Sequence, residues 1–456
     1  MSAVSTPQAA YNAMTDDWDL VDALLGGTVA MRDAGATYMP RFPLECEASY
    51  KERLATATLF PAFSETVSNL SGHVFARPVV VGDDVPAAIQ EQTNNIDLQG
   101  SNLTVFAATW FYRALAYGMA HVLVDYPRVQ GARTAAAEKA LGARPYCTVY
   151  EARQLIGWRF GKIDGVPKLT LARLVETVEE DDGEFGTKHV KQIRVLRRGS
   201  YQVWRCSGKD GAWFVHDEGP MSVAEIPLVT LYTGRTGLLT AKPPLREVAH
   251  LNVKHWQEQS DQDTSVRFAR VRLLWTAGAD VETGPDGKPK PLQASADSVI
   301  GLPTGAQMGV VQGSAESVKV GRDSLDALER QMSEAGAKLR RKDAQFTKTV
   351  QQAADDSVTE KSALGNMAQG LEDAIDQVLQ FMADWQKLGD GGSVEINKDF
   401  DLDSTPDQSM ATLITMNGAG NLSDQTLFEE AKRRSLVADG VNWETEQERL
   451  RSQPRL

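Results

Sequence analysis

Residues 226–278 read IPLVTLYTGRTGLLTAKPPLREVAHLNVKHWQEQSDQDTSVRFARVRLLWTAG: a short apolar strand, a glycine-rich loop, the Pro243-Pro244 break, then roughly thirty residues without Gly or Pro. The spacing predicts one long helix running to about Trp275. Its first part carries an apolar patch at Leu245, Val248, Ala249 and Trp256, followed by six consecutive polar residues from Ser260 to Ser265 and apolar residues again from Val266 to Trp275. A helix that is polar all round in its middle is no ordinary core helix; it spans, bridges or lines something wet.

Outward from this stretch, the chain has 456 residues, of which 42% are hydrophobic and 7% aromatic. That is the composition of a globular protein with room for two to four folded regions. The formal charge of −13, from 61 acidic and 48 basic residues, gives no global positive field for nucleic acid, so any such contact must be local. Cys46, Cys147 and Cys206 are scattered and include no C-x-x-C pair, which argues against a disulfide framework and a zinc site; no metal site is expected. The first twenty residues lack a basic and then apolar leader pattern, so no secretory signal is expected and synthesis is read as intracellular. Residues 105–124 are apolar but are interrupted by Arg113 and His121. They read as a buried helix running into a buried strand, not as a membrane span.

Toward the N-terminus, helices are expected near residues 9–31, 50–71 and 102–117. From 144 to 232 the pattern changes to short runs of Val, Ile, Tyr, Trp and Leu. Turn clusters at Gly165, Asp181-Asp182-Gly183, Arg198-Gly199-Ser200 and Gly208-Lys209-Asp210-Gly211 separate these runs, as in an antiparallel β region. Beyond the long helix come the loop TGPDGKPKP and the apolar stretch SVIGLPTGAQMGVV, which read as a small excursion with strands. A second long helix is expected from about Asp323, with Leu325, Leu328, Met332, Ala335 and Leu339 on one stripe. A third is marked by Ser357 and Glu360 as a capping box, by apolar positions Leu364, Met367, Leu371, Ile375, Val378, Met382 and Trp385, and by Gly389 at its stop. Gln345 to Asp356, between the second and third helices, is polar. The last sixty or so residues hold an acidic linker (KDFDLDSTPD), a helix over 424–437 and a charged tail.

Phosphate-cradle and dinucleotide glycine patterns are absent, as are H-E-x-x-H, G-x-S-x-G and S-x-x-K. His250 and His255 lie roughly 140° apart around a helix, which suits packing or solvent rather than a shared metal. No catalytic residue and no cofactor is therefore expected. One electrostatic constellation stands out: Lys338, Arg340, Arg341, Lys342 and Lys348, opposed only by Asp343. A helix C-terminus attracts such cations through its own dipole; the other reading is a phosphate-facing patch.

The order of long helix, small excursion, long helix, polar loop and long helix resembles the portal proteins of tailed bacteriophages. The resemblance is carried by TVSNLSGHVFARP (66–78), FYRALAYGMAHVLVDYPR (111–128), RPYCTVYEARQLIGWRF (144–160) and the stretch quoted first. It is similar to a subfamily of short portals and covers most of the chain up to about Trp385; the C-terminal sixty residues match least. The resemblance implies an α+β portal-type fold, with a wing over 1–243, stem helices over 244–275 and 318–343, and a clip over 276–317. It further implies a channel loop over 344–356, a wing-crossing helix over 357–388 and a wing edge or crown over 389–456. It implies a structural protein and not an enzyme: a homo-oligomeric ring, usually dodecameric, through which double-stranded DNA is packaged and ejected. The implied partners are the terminase large subunit, the major capsid or scaffolding protein, and head-completion, adaptor and tail proteins, at the capsid vertex of a virion assembled in a bacterial host cytoplasm, with no membrane. The DNA-facing candidates are Lys338, Arg340, Arg341, Lys342, Lys348, Gln345, Gln351 and Gln352; Asp286, Lys288 and Lys290 on the clip are the candidates for terminase contact. The competing expectations are another head-structure protein, such as a connector or capsid component, and an enzyme with no recognisable motif.

Overall fold

Asn102 opens the helix at the centre of the molecule, its side chain accepting from the Val105 N–H at 2.9 Å. Gly118, at φ +88°, closes that helix and turns the chain directly into a strand. A side chain there would meet the Lys242 carbonyl oxygen at 2.6 Å, so only glycine satisfies both the left-handed turn and the close approach. The expected buried helix and buried strand over 105–124 are both present, with Trp110, Phe111, Ala114, Val122 and Val124 fully enclosed. The computed structural model describes residues 3–127, 142–207, 211–270, 273–278, 304–311, 315–340, 362–398, 406–433, 437 and 441–452.

In chain order the N-terminal helices are α1 (Ala9–Asn12), α2 (Thr15–Leu25), α3 (Gly27–Ala34), α4 (Glu47–Thr56), α5 (Ala62–Val74), α6 (Ala87–Gln92) and α7 (Leu103–Tyr117). The segment expected as one helix over 9–31 is thus three, broken after Asn12 and again at Gly27, whose φ is +70°. The one expected over 50–71 is two, because Pro61 lacks the N–H that would continue the ladder and sits instead at the start of α5. Trp18 of α2 donates its indole N–H to the Tyr117 carbonyl, and Tyr117 donates its hydroxyl to Asp22. These bonds tie the N-terminal helices to α7.

Strands fill the region expected to be β. After β1 (Val80–Val81), β2 (Met119–Asp125) is the centre of a three-stranded antiparallel sheet, flanked by β3 (Tyr146–Glu151) and β9 (Leu228–Tyr232). A five-stranded antiparallel meander runs β4 (Leu155–Ile163), β5 (Val166–Asp182), β6 (Gly186–Arg197), β7 (Ser200–Cys206) and β8 (Trp213–Pro220), each paired with the next. Between the two sheets lies a polar knot. Arg194 of β6 reaches Asp125 and Glu176, both at 2.6 Å, while Tyr150 and Gln192 donate to Glu176. Burial and the adjoining carboxylate hold the Tyr150 phenol well above its ordinary value. A small hairpin, β10 (Arg235–Gly237) with β11 (Thr240–Ala241), leads to the long helices.

These are α8 (Arg246–Arg270), α9 (Ala315–Lys338) and α10 (Ala363–Gln386). Strands β12 (Leu273–Ala277) and β13 (Gln307–Val311) pair antiparallel between α8 and α9; β13 lies in the stretch expected to hold strands, β12 at the expected end of the long helix. The helix expected to reach Trp275 stops at Arg270, because the chain there joins a strand whose hydrogen bonds come from a partner more than thirty residues away. Trp275 is 44% exposed, over the bare backbone of Gly309. The second helix starts eight residues earlier than its apolar stripe suggests, carrying Gly321 within it. The third is capped by Ser362, whose hydroxyl accepts from the Gly365 N–H at 3.1 Å, and closes at Lys387 with φ +58°. Gly389 is thus not its stop, and Ser357 and Glu360 lie outside the described residues. After β14 (Val394–Glu395), paired with β1, residues 399–456 form a separate compact unit. It contains α11 (Pro406–Gly418), which begins in the last two residues of the expected linker, α12 (Asp424–Arg433) within the expected helix, and α13 (Trp443–Ser452) where only a charged tail was expected.

The result is an α+β architecture of helices and antiparallel sheets, as the resemblance implies. Among the described residues, no helix is long and apolar enough to cross a membrane.

Candidate functional site

The buried face of α8 continues past the point where its apolar stripe ends. Leu245, Val248, Ala249 and Trp256 are enclosed as the spacing predicts, and so are Asn252, His255, Ser260 and Gln262. Each of these four polar side chains sits against a neighbouring element. Asn252 accepts from the Phe63 N–H at 3.0 Å and donates to the Phe60 carbonyl at 2.9 Å, clamping the chain around Pro61 at the start of α5. Ser260 accepts from Arg53, and Gln262 donates to the Val318 carbonyl at 2.7 Å. Of the six polar residues in the middle of the helix, Asp261, Asp263, Thr264 and Ser265 are the exposed ones.

Facing α8, α9 buries Leu325, Leu328 and Met332 at helical spacing. His255 with Glu329 (3.4 Å), Ser324 with Glu258 (2.6 Å) and Gln262 with Val318 show partners that retreat along α9 as they advance along α8. The two helices are therefore an antiparallel pair. Gly321 makes the approach close: a Cβ there would lie 2.0 Å from the Gln262 side-chain oxygen. Further along, Gly336 admits Thr66 of α5, so the basal end of the pair is embedded in the N-terminal helices. At the far end Phe268 is 43% and Val320 64% exposed. His250 is exposed and His255 is packed against the Phe60 ring at 5.1 Å, so the two histidines are not brought together.

At the base, α9 ends in the first members of the basic cluster. Lys338 is exposed, whereas Arg340 is half-buried and its Nε has no acceptor among the described residues. Burial lowers the His73 pKa, and the Arg340 charge lowers it further. The Leu339 carbonyl accepts from the Leu364 N–H at 2.9 Å, so the chain leaves at Arg340 and returns at Ser362 to the same place. Arg341, Lys342, Gln345, Lys348, Gln351 and Gln352 lie outside the described residues, as do Asp286, Lys288 and Lys290. From this root α10 runs to the three-stranded sheet, where Trp385 donates to the Val124 carbonyl at 3.0 Å and stacks on Tyr126.

A cleft of about 500 Å³ beside the pair is lined by Phe42, Glu45, Arg53, Ser260, Asp263 and Arg267, among others. Its floor is the enclosed Arg53–Glu45 ion pair, with bonds of 2.9 and 2.8 Å. Arg53 holds the Glu45 carboxyl below its ordinary range. Nothing local in the sequence marks this pair, or the Asp125–Arg194–Glu176 knot, because their members come from different elements. Among the described residues, no three His, Cys, Asp or Glu side chains stand close enough to hold a metal ion.

Residues 244–386, which run from the Pro243-Pro244 break through the helix pair to the end of α10, match the family described as Domain of unknown function (DUF4055). No curated relative matches the chain. Among solved structures, a chain from the neck of an empty GTA particle, computed with C6 symmetry, is similar at 13% identity and a TM-score of 0.42, covering 90% of this chain and 98% of that one. A chain from the neck of a native GTA particle, computed with C12 symmetry, is similar at 12% identity and a TM-score of 0.41, covering 88% and 97%.

Proposed function

We propose that this chain is the subunit of a portal ring at the capsid vertex of a tailed bacteriophage-type particle, forming the channel through which double-stranded DNA is packaged and ejected. One observation carries the reading: an antiparallel helix pair with a strand pair at its far end, whose chain leaves and re-enters beside Leu339 before running on as α10. This is the order of stem, clip, channel loop and wing-crossing helix that the sequence resemblance implies. In this reading α8 and α9 form the stem, β12 and β13 belong to the clip, and Lys338 stands at the inner end of the stem near the DNA backbone.

The charge balance suits a conduit. Every phosphate neutralised by a protein cation adds salt-dependent affinity, so a surface past which DNA slides works best with few basic contacts. A formal charge of −13 meets that need. On this reading the chain is no enzyme and takes no cofactor; a separate terminase ATPase drives the DNA. The capsid or scaffolding protein surrounds the ring, and adaptor and tail proteins follow it.

Imaging of the purified full-length chain tests the reading. A ring with an axial channel, with a mass of about twelve subunits, is expected; a shell, a plug or a small oligomer with no channel would reject it. For the basal charge, Lys338→Gln combined with Arg340→Gln, Arg341→Gln and Lys342→Gln is expected to reduce packaged or retained DNA. Unaltered packaging and retention would remove any DNA role from this cluster.

A further inference from the structure

Among the described residues, the outer half of the β5–β6 hairpin has no neighbour in its own sheet. β4 accompanies β5 only as far as Leu174, and β7 accompanies β6 only from Gln192. The rungs from Thr177↔Lys191 to Asp182↔Gly186 therefore form a two-stranded ribbon. At about 3.3 Å per residue it runs roughly 20 Å beyond the sheet. Two strands alone are marginal in water, and the tip of this ribbon carries Phe185, 93% exposed. An arm of that kind gains stability from being covered.

What covers it is indicated by charge. Residues 177–191 hold Glu179, Glu180, Asp181, Asp182 and Glu184 against Lys188 and Lys191, and Arg205 of β7 pairs with Glu180; five acids less three cations leave −2. The other end of the same sheet has the opposite sign. Arg159 and Lys162 on β4, with Arg197 and Arg198 at the β6–β7 turn, are exposed and form no ion pair among the described residues. Against them stand Asp164 and Glu218, leaving +2; Lys168 is matched by Glu225.

We propose that the ribbon is an arm that docks on a second copy of this chain, with Phe185 and the acidic tip seated on the basic turn end of that copy's five-stranded sheet. The contact joins two different patches, so it is heterologous and repeats from copy to copy until a ring closes. The proposal rests on the ring reading above and names a surface through which neighbours meet.

Two full-length charge-reversed chains test it. The first carries Glu179→Lys, Asp181→Lys, Asp182→Lys and Glu184→Lys; the second carries Arg159→Glu, Lys162→Glu, Arg197→Glu and Arg198→Glu. Assembly is followed by sedimentation and mass photometry, and folding by circular dichroism. Each variant alone is expected to assemble at least tenfold more weakly than the natural chain. An equimolar mixture, in which each tip meets a base of opposite sign, is expected to recover rings, as is one chain carrying all eight changes. If the natural chain makes no ring, the ring reading fails and this proposal with it. If the natural chain makes rings and the tip-reversed chain makes them equally well, or if neither mixture nor combined variant recovers a weakened assembly, the arm contact alone is overturned.

Discussion

His121 shows what a single enclosed side chain does to this protein. It sits on the fully buried strand β2, with Nδ1 bonded to the Thr230 hydroxyl at 2.8 Å and Nε2 without a partner among the described residues. Burial pushes its pKa down from 6.5 to about 3. The neutral form is thus the folded form, and the unfolded chain binds the extra proton between those values. Stability from this group is complete above pH 6.5 and declines as pH falls from there toward 3. In His121→Gln the slope of unfolding free energy against pH is expected to flatten within that window, measured by urea titrations at several pH values; an unchanged slope would assign the acid sensitivity elsewhere. Glu45 acts lower, its stabilisation being lost as pH falls below the ordinary 4.5. The interruption of an apolar run by a histidine is visible in the sequence, but its partner Thr230 lies more than a hundred residues away, so only folding reveals that one nitrogen is satisfied and the other is not.

Among the elements, the helix-to-strand joint at Gly118 and the α8–α9 pair respond to different physics. Gly118→Ala places a Cβ against the Lys242 carbonyl in a left-handed turn. The backbone conformation alone costs about 1–2 kcal/mol, and the collision adds to it. A loss of at least about 2 kcal/mol in chemical denaturation is therefore expected, and a neutral substitution would show that the joint relaxes. The apolar stripes of α9 and α10 were legible because helical periodicity survives wherever one face is buried in hydrophobic neighbours. The buried continuation of α8 was not. Ser260 and Gln262 are enclosed because Arg53 and the Val318 carbonyl satisfy them, and no spacing rule announces a partner supplied by another element. Helix ends failed for a related reason: Arg270 has neither Gly nor Pro after it, and the change to strand is decided by pairing with residues 307–311.

Considered as a whole molecule, the chain divides at Lys398 into a unit with both sheets and the long helices and a smaller C-terminal one. The large unit has its own core, from Trp18 and Trp110 through Trp256 to Met382. A chain ending at Lys398 is therefore expected to unfold at the same midpoint as the full chain in thermal denaturation; a lower midpoint would make residues 399–456 part of the same cooperative unit. The candidate site was legible only in outline at this scale. The helix–strand–helix order and the basic end of α9 could be read directly, whereas the half-buried state of Arg340 depends on the packing at the base of the helix pair.

The amino-acid sequence by itself determined the helical N-terminal region, the antiparallel β region, the buried α7–β2 joint and the long helices, because each follows from local periodicity and from Gly and Pro placement. The tertiary structure alone decided which polar groups are enclosed, where α8 yields to a strand, how the ends of α9 and α10 meet, and that the β5–β6 ribbon stands clear of its sheet. Those outcomes depend on hydrogen-bond partners and excluded volume supplied by residues distant in sequence, and local pattern contains no record of them.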